Sequence, residues 1–271
     1  VARVVCETGV PMIPLGRGSN VLMSDHGFAG LIVQLGEVAQ QILLPRTEVR
    51  DEMHDGVAVA CSVTAGSAVA LPVLARRTAA VGIRGFEWAV GVPGSLGGAI
   101  RMNAGGHGSD ISESLVSAQV LDFRTGEIST VLKQEFGLRF RASNIDDQQM
   151  IISGTLSLRY GSPQESLQMI DEIVRWRREN QPGGQNAGSV FVNPVPGEIT
   201  AGQLIDRCGL RGFRIGSAEV SMKHANFIQA DAGGSAKDIV TLMRHIQRVV
   251  SDASGYELRS EIRLIGFERE S

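Results

Sequence analysis

Cysteine is scarce in this chain of 271 residues, with only Cys6, Cys61 and Cys208 present. Three scattered thiols make no disulfide framework, and no CxxC pair offers a zinc site. That usage suits a reducing compartment, so a cytoplasmic setting is expected. No stretch approaches the roughly 20 apolar residues of a membrane-spanning helix, and no basic-then-apolar leader supports secretion. An excess of positive charge is also missing. A net charge of -3 and a pI near 6.0 give no electrostatic case for nucleic acid. The histidines lack metal-ligand spacing, so no metal is expected, and no internal repeat or low-complexity tract is found. The chain opens on Val1–Glu7, which reads as the end of a helix begun earlier and predicts a segment missing from the N-terminus.

What is present is apolar residue and glycine. Apolar types make up 43%, enough for a substantial core, and the length suits two domains. Leu31–Leu35, Val57–Val63, Leu115–Phe123 and Ile151–Tyr160 read as strands. A helix is expected from a Ser67 cap to about Val81, closed by Gly82, with Pro72 awkwardly in its early turns. Gly91–Gly108 holds too many breakers for a regular element. Gly161-Ser162-Pro163 marks the expected boundary between a domain at 1–162 and one at 163–271. Beyond it, Leu167, Ile170 and Val174 predict a helix over Ser166–Glu179. Thr200 with Gln203, and Ser235 with Asp238, resemble capping boxes. Leu258, Ile262 and Leu264 alternate with Arg259, Glu261 and Arg263, as in a strand with one polar face. The fold class is α+β.

The 33 glycines cluster, and clustered glycine suggests backbone turning sharply or passing close to a ligand. Gly16-Arg17-Gly18-Ser19-Asn20 follows a strand and offers converging N–H groups to an anion, as does Gly91–Gly98. Neither is a familiar nucleotide loop. A Rossmann fingerprint needs a third glycine where Val21 stands, and a P-loop needs a lysine that is absent. Tight turns packed on a sheet remain the alternative.

Longer stretches are more specific. Pro14–Leu22 with Asp25–Gly30, Gly85–Gly105, Gly188–Pro194, Ala201–Asp206, Val220–Ile228 and Glu261–Gly266 resemble, in order, the motifs of the MurB family, the UDP-N-acetylenolpyruvoylglucosamine reductases. The resemblance implies an FAD-binding fold of the vanillyl-alcohol-oxidase (PCMH) type followed by a smaller α+β substrate-binding domain. It implies FAD held by Gly16, Arg17, Gly18, Ser19, Asn20, Gly91, Pro93, Gly94, Ser95, Gly97, Gly98 and Asn103. NADPH would be the reductant and UDP-N-acetylglucosamine enolpyruvate the substrate, contacted by Asn193, Lys223, His224 and Asn226. Ser189 matches the family's proton donor, Arg141 its catalytic arginine and Glu261 its catalytic glutamate. The short spacing from Arg141 to Ser189 looks like the subtype without the tyrosine-bearing insertion, and a monomer is expected. Phe140 stands where the family usually has tyrosine, and Val192 where lysine is frequent. An Asn-Thr and Gly-Gly stretch of relatives has no counterpart before Val1.

The chemistry so implied needs a hydride for one alkene carbon and a proton for the other. Charge flowing into the substrate carboxylate calls for a planar guanidinium such as Arg141. A protonated Glu261, its pKa raised by desolvation, would assist. A serine hydroxyl is a weak acid, fit to protonate only a strongly basic carbon. Read alone, Arg141 is equally an exposed strand-end charge, Glu261 a solvated one, Ser189 a loop serine and Gln203 a cap. Rival functions are another oxidase on the same FAD fold, a flavin-binding scaffold without activity, and a generic nucleotide-binding α/β protein.

Overall fold

The computed structural model describes residues 1–45, 59–184 and 186–267. The chain forms two compact units, Val1–Arg17 with Gly30–Trp176, and Gly18–Ala29 with Arg177–Ser271. The sequence break at 161–163 is therefore not where they divide. Pro163 instead starts the helix Pro163–Asn180, a position where its missing N–H costs nothing. That helix buries Ser166, Ile170 and Ile173, and its isoleucines belong to the first unit's core. Leu167 and Val174, expected on the buried stripe, are instead about 40% exposed along its margin.

The N-terminal unit is built on an antiparallel sheet in the order Ile128–Leu132, Leu115–Asp122, Gln149–Tyr160, Ala60–Gly66, Ile42–Leu43, with Ile83–Arg84 pairing the end of the long strand. The expected Val57–Val63 strand lies partly outside the described residues; its described part runs Ala60–Gly66. Gly154, Leu156 and Leu158 point inward, alternating with Ser157 and Arg159, as the period of a half-buried strand requires. A bulge at Ile152 interrupts the ladder, and the Ile152 carbonyl accepts from Ser67 N at 2.9 Å instead. A parallel pair, Met12–Pro14 with Leu31–Val33, stands apart over Met12, Phe123 and Met150.

Two helices cover the sheet, and both depart from expectation. The first spans Leu71–Ala80, starting after Ala70 rather than at Ser67, which places Pro72 in the first turn where no donor is needed. The second, Leu96–Met102, forms inside the glycine-dense stretch expected to be irregular. Gly97 donates its N–H to Ser67 O at 2.9 Å, and a Cβ there would lie 2.7 Å from Ser67 Cβ, so its glycine is required by contact. Gly154 receives the same helix: a Cβ there would lie 2.6 Å from Ile100 Cδ1. Leu71, Leu74, Phe86, Leu96, Ile100, Phe136 and Leu156 fill the core.

The C-terminal unit holds the sheet Arg214–Ile215, Ala218–Val220, Ile228–Ala230, with the helices Ala201–Arg207 and Ala236–Ser254. The Thr200 capping box forms in both directions, at 3.1 Å and 3.3 Å. The Ser235 box does not. Ser235 Oγ accepts from Lys237 N, and the Asp238 carboxylate turns to Ser217 N and Oγ, both at 2.8 Å. The long helix is capped from elsewhere in the chain. Asp25 accepts from Ala236 N at 2.9 Å, Lys237 N at 3.2 Å and Ser235 Oγ at 2.8 Å. The polar-faced strand expected at 258–264 is broken in two. Residues 259–261 pair with 190–192, and only Arg263–Ile265 continues, parallel to Val21–Met23. That change of partner leaves Leu264 exposed and Ile265 buried.

Two predictions follow from these contacts. The Ala236 amide, then Ser235 Oγ and the Lys237 amide, hold the Asp25 carboxyl below its ordinary value of 3.8. Its stabilising contribution is therefore present above that value and disappears as pH falls through the lowered one. Asp25→Ala should lower the midpoint of thermal unfolding at pH 7 and change it little near pH 2. Gly97→Ala should cost about 1–3 kcal/mol by overpacking. Ser67→Gly in the same chain should recover most of that loss in urea denaturation.

Candidate active site

A cavity of about 120 Å³ in the N-terminal unit is lined by Gly16, Arg17, Ser67, Ser95, Gly97, Gly98 and Arg101, with Gln34 and Gln149 at its sides. Its walls are close-packed. A Cβ on Gly16 would lie 2.6 Å from Ser95 Oγ, while Gln34 Nε2 holds Gly16 O at 2.6 Å. Arg101 is 15% exposed and bonded to Asp147 at 2.8 Å. Small residues, hydroxyls and two guanidinium groups make a lining suited to a dinucleotide diphosphate. Arg101, Ser67 and Gln34 were not among the expected cofactor residues, because segments distant in sequence bring them to one cavity.

Other expected cofactor residues shape this unit from within. Gly91 is packed by the His107 ring, which stands edge-on to Trp176 at 5.0 Å. Gly94 O accepts from Leu71 N at 3.1 Å, and Pro93 lies in the same exposed loop. Asn103 ends the Leu96–Met102 helix at φ 40 and is 3% exposed. Its amide donates to Asp110 at 3.1 Å and Arg139 O at 3.2 Å, and accepts from Ser112 N at 3.0 Å. Those bonds brace the loop that follows the helix.

Arg141 occupies a tight turn closed by mutual backbone bonds of 3.0 Å between Arg139 and Ala142. Its φ of 57 is left-handed, a conformation that costs a non-glycine residue about 1 kcal/mol or more. The guanidinium sits 5.1 Å from the centroid of the Phe140 ring. Phe140 thus retains the aromatic platform of the expected tyrosine without its hydroxyl.

In the C-terminal unit the candidates meet through backbone. Val190 N donates to Asn226 O, and Val190 O accepts from Glu261 N, both at 2.8 Å. One peptide unit thus ties the segment after Ser189 to Glu261. Asn226, 4% exposed, imitates a strand partner for Phe191, accepting from its N at 3.0 Å and donating to its O at 2.8 Å. Ser189 itself is half-buried, preceded by Gly188 at φ 78, and its hydroxyl makes no hydrogen bond among the described residues.

The remaining residues surround this frame. Asn193 Oδ1 caps Ala201 N at 3.1 Å, and Lys223 Nζ bonds Arg178 O. His224 Nδ1 accepts from Asn226 N at 3.2 Å, which leaves the proton of the neutral ring on Nε2. Burial, then the nearby Arg211 charge, pushes the His224 pKa below its ordinary value. Val192, where relatives carry lysine, is buried. Gly18, Ser19 and Asn20 belong to this unit, whereas Gly16 and Arg17 belong to the other.

Comparison with known proteins accords with this geometry. Residues 1–132 match an FAD binding domain, and residues 180–265 match the C-terminal domain of UDP-N-acetylenolpyruvoylglucosamine reductase. The UDP-N-acetylenolpyruvoylglucosamine reductase of Gloeobacter violaceus is 41% identical over 261 residues, covering 95% of this chain and 82% of the relative. That of Anoxybacillus flavithermus is 35% identical over 267 residues, covering 97% and 83%. The crystal structure of the MurB reductase from Thermus caldophilus superposes with a TM-score of 0.79 at 28% identity, covering 98% of this chain and 90% of that one. The fold is thus the expected one, a PCMH-type FAD-binding domain followed by the family's own C-terminal domain. On sequence identity over nearly its whole length, the chain belongs to the UDP-N-acetylenolpyruvoylglucosamine reductase family.

Proposed function

We propose that this chain is an FAD- and NADPH-dependent reductase that converts UDP-N-acetylglucosamine enolpyruvate to UDP-N-acetylmuramate, a step of peptidoglycan precursor synthesis. The observation that carries the reading is the Val190 peptide, which joins the Ser189 segment to Glu261 at 2.8 Å within the family's C-terminal domain. A proton donor and a carboxyl group held in one rigid frame are what alkene reduction beside a carboxylate asks for.

Gly16, Arg17, Ser95, Gly97, Gly98 and Arg101 are suited to hold the FAD diphosphate, given the small, cationic lining of their cavity. When bound and reduced by NADPH, FAD would supply the hydride for the terminal alkene carbon. The protein's task is then electrostatic. Arg141 is assigned to the substrate carboxylate, whose negative charge grows as the hydride arrives, and its planar fork meets both carboxylate oxygens. Glu261 is assigned to support that charge through a hydrogen bond. The Ser189 hydroxyl gives its proton to the carbon bearing the carboxylate, forming the C–H bond that completes the lactyl group. Its lack of a hydrogen-bond partner among the described residues leaves that proton uncommitted. Lys223 and His224 are assigned to the sugar nucleotide. Asn193 and Asn226 are better read as braces, since their bonds run to Ala201 and Phe191.

The shorter family subtype is supported by the direct passage from the strand Gln149–Tyr160 into the helix Pro163–Asn180. A cytoplasmic setting is supported by three unpaired cysteines. Also, no helix among the described residues is long and apolar enough to cross a membrane.

The purified chain should be yellow and should oxidise NADPH beyond one equivalent per flavin only when the enolpyruvyl substrate is added. Oxidation indifferent to substrate would exclude the proposed activity. In Ser189→Ala, stopped-flow reduction of the flavin by NADPH should match the parent while turnover falls about 10²-fold or more, the scale of lost general-acid catalysis. Parental turnover in that variant would remove Ser189 from the role.

A further inference from the structure

We propose that Asn20, the last residue of the first glycine loop, is a positioning residue for Glu261 and not a contact to the cofactor. The proposal rests on the catalytic reading of Glu261 given above. The Asn20 side chain turns to the protein: Nδ2 donates to Glu261 O at 2.9 Å. Its backbone carbonyl accepts from Arg263 N at 3.1 Å. Asn20 therefore holds both ends of the short segment that carries Glu261 and the following Ile262. On the other side of that segment, Glu261 N donates to Val190 O at 2.8 Å. The Glu261 peptide is thus fixed from two directions, by Asn20 through its carbonyl and by Val190 through its N–H.

Local structure makes the arrangement necessary. The Leu258–Leu264 segment changes partners at Glu261, leaving the bridge at Phe191–Ser260 for the parallel pair that opens at Val21–Arg263. At such a change the regular ladder of the first partner ends, and backbone groups still have to be satisfied. Asn20 supplies the Glu261 carbonyl with a donor from its side chain. An amide fits because it is short, neutral and a donor, whereas aspartate would set a charge against the carbonyl. Without the bond the Glu261 peptide can rotate, and the carboxyl above it moves while the neighbouring core residue Ile262 stays buried.

Asn20→Ala, Glu261→Gln and the double variant test the assignment in the FAD-loaded enzyme. Asn20→Ala should retain the parental FAD dissociation constant and the parental rate of flavin reduction by NADPH. Its kcat for the enolpyruvyl substrate should fall about ten- to a hundred-fold, the scale of a misplaced catalytic group, with KM little changed. The double variant should be no slower than Glu261→Gln alone, because both changes disable one carboxyl group. Asn20→Ser, which keeps a donor on a shorter arm, should recover part of the lost kcat and serves as the probe should the alanine variant fold poorly. A weakened FAD affinity in Asn20→Ala, or losses that multiply in the double variant, would overturn the proposal while leaving Glu261 in place. Parental turnover in Glu261→Gln would overturn the catalytic reading itself, and this inference with it.

Discussion

The parallel pairing of Val21–Met23 with Arg263–Ile265 is the constraint on which the rest of the C-terminal unit depends. The segment Gly18–Ala29 enters a unit otherwise made of Arg177–Ser271. Once it is seated, Asn20 reaches Glu261 and Asp25 reaches the first turn of the helix Ala236–Ser254. Remove the pairing and two amides and the Ser235 hydroxyl at that helix start lose Asp25 as acceptor, while the carbonyl of Glu261 loses the Asn20 donor. The glycines of the first loop are then explained by more than ligand approach. The chain must leave one core at Arg17 and enter another at Gly18, and Gly18 at φ 71 supplies the turn.

Much of the architecture was legible in the amino-acid pattern. The strands at 115–122 and 149–160 fall within a residue or two of where alternation predicts them, because one face of each meets a core. The Thr200 capping box was readable because both its bonds are local. What pattern could not show was non-local. Ser235 looks like a capping box on spacing alone, yet Ser217 takes Asp238 and Asp25 takes the helix. The helix Leu96–Met102 violates propensity, and only contact with Ser67 explains why glycine is favoured at Gly97. Leu258–Leu264 alternates correctly for a strand, but alternation says nothing of a change of partner halfway.

The site shows the same division. Family motifs marked Ser189 and Glu261, and the fold ties them through one peptide. The motifs also marked Asn103, Asn193 and Asn226, whose amides prove to be occupied by backbone groups. Those bonds make Asn103 and Asn226, both buried, costly to disturb. Arg101 and Gln34, by contrast, sit in no obvious motif role and line the cavity. Their relevance arises from three-dimensional convergence alone.

The bond from Asn20 to Glu261 spans 241 positions of the chain. Contacts so remote in sequence form late, since the entropy of closing the intervening loop must be met before any local reward is felt. During synthesis the strand Val21–Met23 emerges long before its partner Arg263–Ile265. Until then its edge stays open, and the first glycine loop has nothing to rest against on that side. The acidic residue assigned to chemistry and the loop beside it therefore mature together, in the final moments of folding.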